Sequence, residues 1–197
     1  MLGSHGDSGK GEGSDMIAQQ PKRSPRVRRE EQARIDSLSA DLASPDAMVR
    51  TKARKSLLTI GGPSVPSLIR MLSHAKPHVR WEAAKALGGI ANPIAASALV
   101  NALEDPDSDV RWLAAEGLVA LGRDGLRPLL AALLEQAEPC SLYQGALHVC
   151  RALARKKELG PIFRPLLAIL RQPWENMAVP AAAYAALSRL QEEGILR

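Results

Sequence analysis

Few residues of this chain are spaced as in a known catalytic or ligand-binding motif. The segment Gly6-Asp7-Ser8-Gly9-Lys10 is similar to part of a phosphate-binding loop, but Ser4 stands where the loop needs its first glycine and Gly11 follows Lys10. A phosphate loop also requires Ser or Thr after the lysine and an apolar strand before the first glycine. The segment therefore does not predict a nucleotide site.

The histidines and cysteines do not predict a metal site either. His74 and His78 are close in sequence, and His148 stands alone, but two histidines without a third ligand do not complete a coordination shell. Cys140 and Cys150, if they lie on one helix, are about 15 Å apart. That separation exceeds the reach of a disulfide, so we expect free thiols and a reducing compartment. We predict no metal and no cofactor.

The clearest pattern is a repeat of about 30 residues. Val49, Val79 and Val110 are each followed by Arg, and then by Ala, Leu and Ile or Leu at offsets of 4, 8 and 11 residues. Two weaker copies begin at Leu142 and Val179. At about 100° per residue, these offsets fall on one narrow stripe, so each copy predicts a helix with one buried face.

A shorter helix is predicted between successive copies, because leucine pairs stand four residues apart there. The pairs are Leu68 and Leu72, Leu99 and Leu103, Leu129 and Leu133, and Leu166 and Leu170. Aromatic residues make up only 3% of the chain, and Ala and Leu supply most of the apolar content, which favours helices over strands. Helix pairs at this spacing predict an all-α solenoid of about five pairs.

Two of the copies resemble a known repeat family. Pro77–Ala91 and Asp107–Gly122 share Val-Arg, then Ala-Ala, then Leu, then Ile or Leu, and they resemble HEAT-like repeats of the phycobilisome-lyase type. The resemblance implies a right-handed α-α superhelix in which the second helix of each pair lines the concave side. It also implies a scaffold that binds a protein partner and has no catalytic activity of its own.

Enzymes with related repeats remain as alternatives. Deoxyhypusine hydroxylases resemble this architecture and hold iron through His-Glu pairs, but no histidine of this chain is followed by Glu. HEAT-like alkylpurine DNA glycosylases combine Trp with a carboxylate, and Trp112 with Glu116 matches them only weakly because these repeats are regular. Bilin lyases share the repeat type, so a bilin-lyase-like enzyme or enzyme subunit stays open.

The ends and the charge of the chain suggest its organisation. We expect a disordered Gly/Ser-rich tail and basic linker over residues 1–30 and the repeat domain over 31–197. The net charge of +5 and the basic cluster near residues 22–29 permit binding to nucleic acid, which is the less favoured alternative. No apolar run is long enough to span a membrane, and we expect a cytoplasmic monomer.

A helical wheel identifies the candidate binding residues. Offsets 2, 3, 6 and 10 from the first residue of each copy point away from the buried stripe, and we expect them on the concave side. Trp81 and Trp112 share offset 2 in neighbouring copies, and exposed tryptophan is typical of binding hot spots. The other predicted partner-binding residues are Lys52, Lys55, Glu82, Lys85, Glu116 and His148.

Three arginines at offset 1 form a second series. Arg50, Arg80 and Arg111 lie at the edge of the buried stripe, where side chains reach the neighbouring repeat. We predict a structural ladder in which each arginine bonds an inter-repeat carbonyl or an aspartate such as Asp46 or Asp107. The alternative is a row of contacts to phosphate or carboxylate groups of a ligand.

Overall fold

The computed structural model describes residues 24–135, 141–172 and 176–196, and these residues form ten α-helices and no strand. The helices are α1 (Pro25–Asp41), α2 (Ala47–Ile60), α3 (Val65–Met71), α4 (Pro77–Ile90), α5 (Ala96–Asn101), α6 (Ser108–Leu121), α7 (Arg123–Glu135), α8 (Ser141–Leu153), α9 (Gly160–Leu170) and α10 (Val179–Glu192). The predicted all-α solenoid is confirmed. None of the helices described has the length and apolar content needed to cross a bilayer.

The helices pack in two layers. One layer contains α2, α4, α6 and α8, which contact one another in that order. The other contains α1, α3, α5 and α7, each beside the longer helix of its own pair. Each longer helix therefore has a pair partner behind it and neighbours on its flanks, as expected for stacked repeats.

The repeated stripe forms the core between the layers. Val79, Ala83 and Leu87 are fully buried, as are Val110, Ala114 and Leu118 at the same offsets of the next copy. The copy that begins at Leu142 is buried in the same way, with Cys150 in place of leucine. Cys150 is a free thiol, and its burial raises its pKa to about 12. Cys140 lies outside the described residues.

The helix ends follow local rules of capping. The carboxylate of Asp46 accepts a hydrogen bond from the Met48 backbone N–H at 2.7 Å, and that of Asp107 caps α6 in the same way. Gly61 and Gly122 end α2 and α6 with φ of 72° and 64°. Ala91 ends α4 in the left-handed conformation with φ of 51°, which costs an alanine more than a glycine.

The first helix begins earlier than the predicted domain boundary at residue 31. Ser24 accepts a hydrogen bond from the Val27 N–H, and Pro25 occupies the first turn, so the helix starts there. Arg26, Arg28 and Arg29 are therefore helical and exposed. The rest of the predicted tail and linker, residues 1–23, lies outside the described residues.

The last helix departs from the stacking order of the earlier copies. By its offsets, α10 corresponds to the longer helices, but it packs mainly on α7 and α9 instead of α8. Arg151 of α8 is exposed at offset 9, where Leu58 of α2 lies against Gly89 of α4 and Gly88 of α4 lies close to Gly117 of α6. A charged arginine is unfavourable at an interface between two packed helices. This explains why α10 does not stack on α8 and instead contacts α7 of the other layer.

We expect Ala91→Gly to increase the free energy of unfolding by about 1 kcal/mol, because glycine adopts the left-handed conformation without steric cost. Ala91 is exposed, so no buried contact is lost. Ala120→Gly is the matched control at an exposed position inside α6, where glycine should decrease stability by up to about 1 kcal/mol. Urea denaturation of both variants gives the comparison, and a loss of stability in both would contradict the prediction.

Candidate functional site

The exposed side of the longer helices carries two rows of side chains, which we call the groove surface. The first row, at offset 2, contains Thr51, Trp81, Trp112 and Gln144. The second row, at offset 6, contains Lys55, Lys85, Glu116 and His148. Because offsets 2 and 6 are four residues apart, each helix contributes two neighbouring side chains to the same face.

Trp112 is the most exposed aromatic residue of the groove surface. Its relative exposure is 58%, whereas Trp81 is half-buried against the core. Trp112 borders a cleft of about 230 Å³ between α6 and α8, and the side chains of Ser108, Ser141 and Gln144 also line this cleft. An exposed indole beside a concave space is suited to packing against an apolar group of another molecule.

Trp81 is covered by a neighbour from the second row. The Lys85 ammonium lies 4.4 Å from the centre of the Trp81 ring, within the range of a cation–π interaction. Lys85 itself is exposed. The pair therefore presents a positive charge above a flat aromatic surface.

Glu116 and His148 form a pair that links α6 to α8. The His148 Nε2 atom lies 2.6 Å from a carboxylate oxygen of Glu116, and both side chains are a little less than half exposed. The contact joins the imidazole of α8 to the carboxylate of α6 across the cleft that Trp112 borders. In the part of the chain that the structure describes, no group of three or more His, Cys, Asp or Glu residues could hold a metal ion.

The three offset-1 arginines hold the turns that precede their own helices. Arg50 Nη1 donates to the carbonyl oxygens of Ser44 and Pro45, at 3.0 and 2.9 Å. Arg80 donates in the same way to His74 and Ala75, and Arg111 to Asp105 and Pro106. Each guanidinium thus satisfies the carbonyls of residues five and six positions before it, which stabilises the turn.

Arg80 also joins two successive repeats. Its guanidinium donates two hydrogen bonds to the Asp105 carboxylate, at 2.6 and 2.8 Å, and both side chains are almost entirely buried. The hydrogen bonds with Asp105 raise the pKa of Arg80 above its ordinary value. The aspartate contacted is Asp105, and not Asp46 or Asp107, whose carboxylates cap α2 and α6.

The prediction that Glu82 belongs to the binding surface is wrong. Glu82 is only 5% exposed, and its carboxylate binds Arg54 of α2 at 2.7 Å and lies 3.7 Å from Arg50. Offset 3 faces the preceding helix of the layer, so Leu113 of α6 is buried at the same position. Lys52 is exposed at offset 3 because α2 is the first described helix of its layer.

Comparisons with known proteins agree with this architecture. A family model described as HEAT repeats matches residues 35–119 and 65–140. The chain is 26% identical, with a TM-score of 0.54, to a chain in the complex of CpcE and CpcF of phycocyanin lyase from Nostoc sp. PCC7120, over 79% of this chain and 99% of that chain. No curated protein matches the chain significantly.

Designed repeat proteins are similar in fold alone. A designed armadillo repeat protein in complex with the peptide (KR)4 is 21% identical with a TM-score of 0.41, over 81% of this chain and 87% of that one. An engineered protein from a structural genomics consortium is 19% identical with a TM-score of 0.44, over 79% of this chain and 78% of that one.

We expect Asp105→Asn to decrease the free energy of unfolding by about 3 kcal/mol, because it leaves Arg80 largely buried without its anion. Urea denaturation near neutral pH measures the loss. Asp36→Asn is the matched control, since Asp36 forms an exposed pair with Arg70 at 3.8 Å, and such pairs contribute less than about 1 kcal/mol. Equal losses in the two variants would show that the inter-repeat pair has no special structural role.

Proposed function

We infer that this chain, which belongs to the HEAT-repeat family, is a scaffold that binds a protein partner across the groove surface and has no catalytic activity of its own. Its resemblance to repeats of the phycobilisome-lyase type is confirmed by the likeness to the phycocyanin lyase chain. Stacked helical repeats present long surfaces of regularly spaced side chains, which suit extended contact with another protein.

The observation that supports the binding role most strongly is the exposure of Trp112. A tryptophan that is 58% exposed on a well-packed helix leaves a large apolar surface in contact with water. Such a side chain contributes little to the core of its own repeat, whereas tryptophan is enriched among residues that dominate binding energy. The adjacent cleft between α6 and α8 gives an incoming side chain a place beside the indole ring.

The charges of the second row indicate the kind of segment that fits. Lys55 and Lys85 place positive charge at the α2–α4 end, and Glu116 with His148 places a carboxylate and an imidazole at the α6–α8 end. A partner segment with acidic residues toward α2 and an apolar or aromatic group at Trp112 complements both features. We propose a segment of this pattern as the ligand.

The cleft contents favour binding over catalysis. Ser108 and Ser141 line the cleft, but neither hydroxyl is hydrogen-bonded to His148, whose ring binds Glu116. A serine nucleophile requires a base within hydrogen-bond reach, and the described residues do not form that pair.

Assembly with another protein is also the state of the phycocyanin lyase relative, whose structure is that of a complex of CpcE and CpcF. This chain is similar to nearly the whole length of one of those chains. The likeness supports a protein partner for this chain. It also favours a second candidate function, that of a subunit of a bilin-lyase-like enzyme.

We expect Trp112→Ala to weaken binding of the partner by at least tenfold, or about 1.4 kcal/mol, because it removes the apolar contact at the centre of the groove surface. Partners captured from a cell extract, identified and then purified can be titrated against the parent chain by calorimetry. Tyr184→Ala is the matched control, because Tyr184 is an exposed aromatic residue on α10, outside the groove surface. A partner that binds Trp112→Ala and the parent equally tightly would contradict this assignment.

A separate measurement tests the subunit hypothesis. If the chain acts only as a scaffold, a mixture of bilin, apo-phycocyanin and this chain should form no covalent bilin adduct, as followed by visible absorbance after denaturation. The purified partner is then added to the same mixture. An adduct that requires both proteins would establish the lyase-subunit role and would contradict the absence of a catalytic role.

A further inference from the structure

The first helix of the longer-helix layer has one uncovered side, which we call the α2 end face. Its residues are Val49, Lys52, Ser56 and Thr59, at offsets 0, 3, 7 and 10, with Met48 at its edge. At the same offsets, Glu82 and Gly89 of α4 contact α2, and Gly117 of α6 contacts α4. In α2, Met48, Val49, Lys52 and Thr59 are exposed and Ser56 is half-buried.

The covered versions of this face show what a neighbour contributes. In α4, Val79 is fully buried, Glu82 binds Arg54 of α2, and Leu58 of α2 packs on Gly89. In α6 the helices approach so closely that a Cβ added to Gly88 of α4 would lie 3.2 Å from the Gly117 Cα. The neighbour is thus a helix with small or apolar residues on its near side and, in the α2–α4 contact, one charged residue that pairs across the interface.

The α2 end face lacks the wholly polar surface of a terminal cap. Val49 is 37% exposed where Val79 and Val110 are fully buried, and Met48 is 77% exposed. The face borders a concave space of about 500 Å³. Terminal repeats of solenoids usually carry a polar outer side, so exposed apolar residues beside a cavity favour an interaction surface.

Charge decides which occupant fits. Lys52 and Lys55 are exposed and form no ion pair with another described residue, whereas the nearby Arg50 and Arg54 are directed at Glu82. Two copies joined through their α2 end faces would place lysine against lysine. A head-to-tail copy would bring Arg151 of α8 toward Lys52, so repulsion disfavours a second copy in both arrangements.

We propose that the α2 end face binds an acidic amphipathic helix of a protein partner, which stacks on α2 as α2 stacks on α4. The contact between Arg54 and Glu82 joins offset 5 of one helix to offset 3 of the next. Lys52 occupies offset 3 of α2, so the incoming helix places a carboxylate at its own offset 5. The α2 end face adjoins the groove surface of the proposed function, because Thr51 and Lys55 of that surface line the same concave space. The two surfaces are distinguished by Lys52 and Trp112, each of which belongs to only one of them.

A stapled helical peptide with the sequence of Pro77–Ile90 serves as the probe, because α4 covers the corresponding face of α6. Residue 84 is at offset 5, so one labelled peptide carries Ala84→Glu and its control carries Ala84→Lys. Fluorescence anisotropy with the full chain at low salt should give a dissociation constant about tenfold lower for the acidic peptide. The Lys52→Glu chain should invert the preference, and Trp112→Ala should leave it unchanged.

The accessibility of the α2 end face to a thiol reagent shows whether residues 1–23 or a second copy of the chain covers it instead. A thiol introduced by Met48→Cys should react rapidly with a maleimide in the free chain and slowly with the acidic peptide bound. The proposal is overturned if neither peptide binds or if Lys52→Glu does not invert the preference. It also fails if labelling is slow until residues 1–23 are removed, or if it slows as protein concentration rises, because the chain itself then covers the face.

Discussion

Side-by-side stacking of α2, α4, α6 and α8 is the constraint on which the core, the surface and the ends of this protein depend. A helix inside this layer is buried by its pair partner and by the helices before and after it. Only a narrow face remains in contact with solvent, and offsets 2 and 6 lie on it. The stacking of the helices therefore aligns these exposed side chains from repeat to repeat, and the side chains need not contact one another.

The offset-1 arginines stabilise this stacking at the turns. Each guanidinium binds two carbonyl oxygens of the turn before its helix, groups that a short connection would otherwise leave without partners. Arg80 binds the Asp105 carboxylate as well, so the turn before α4 and the turn before α6 share one ion pair. A lysine could not replace it, because one ammonium group does not present donors in the planar arrangement of a guanidinium.

The two ends of the layer are closed differently. At the far end, Arg151 stands where a following helix would pack, and α10 instead crosses to α7 and α9. At the near end, the α2 end face combines apolar Val49 with basic Lys52, and both side chains are exposed. At the α8 end, the last helix thus packs on the other side of the array. At the α2 end, the exposed face has the residue pattern of an interface between two repeats. The groove surface spans successive repeats, whereas the α2 end face is where a further helix would extend the layer.

The sequence by itself determined the helix pairs, the buried stripe and the row of tryptophans, because a strict spacing of apolar residues specifies one face of each helix. It also placed the arginines at the edge of that stripe, but it did not determine which carbonyl oxygens and which aspartate they bind. Only the tertiary structure decided that Glu82 is buried, that Lys52 lies on an end and that α10 leaves the layer. A helical wheel describes one helix against one partner. The burial of Glu82, the exposure of Lys52 and the position of α10 depend instead on which helices lie on the two flanks. Contacts between residues about 30 positions apart determine those flanking helices.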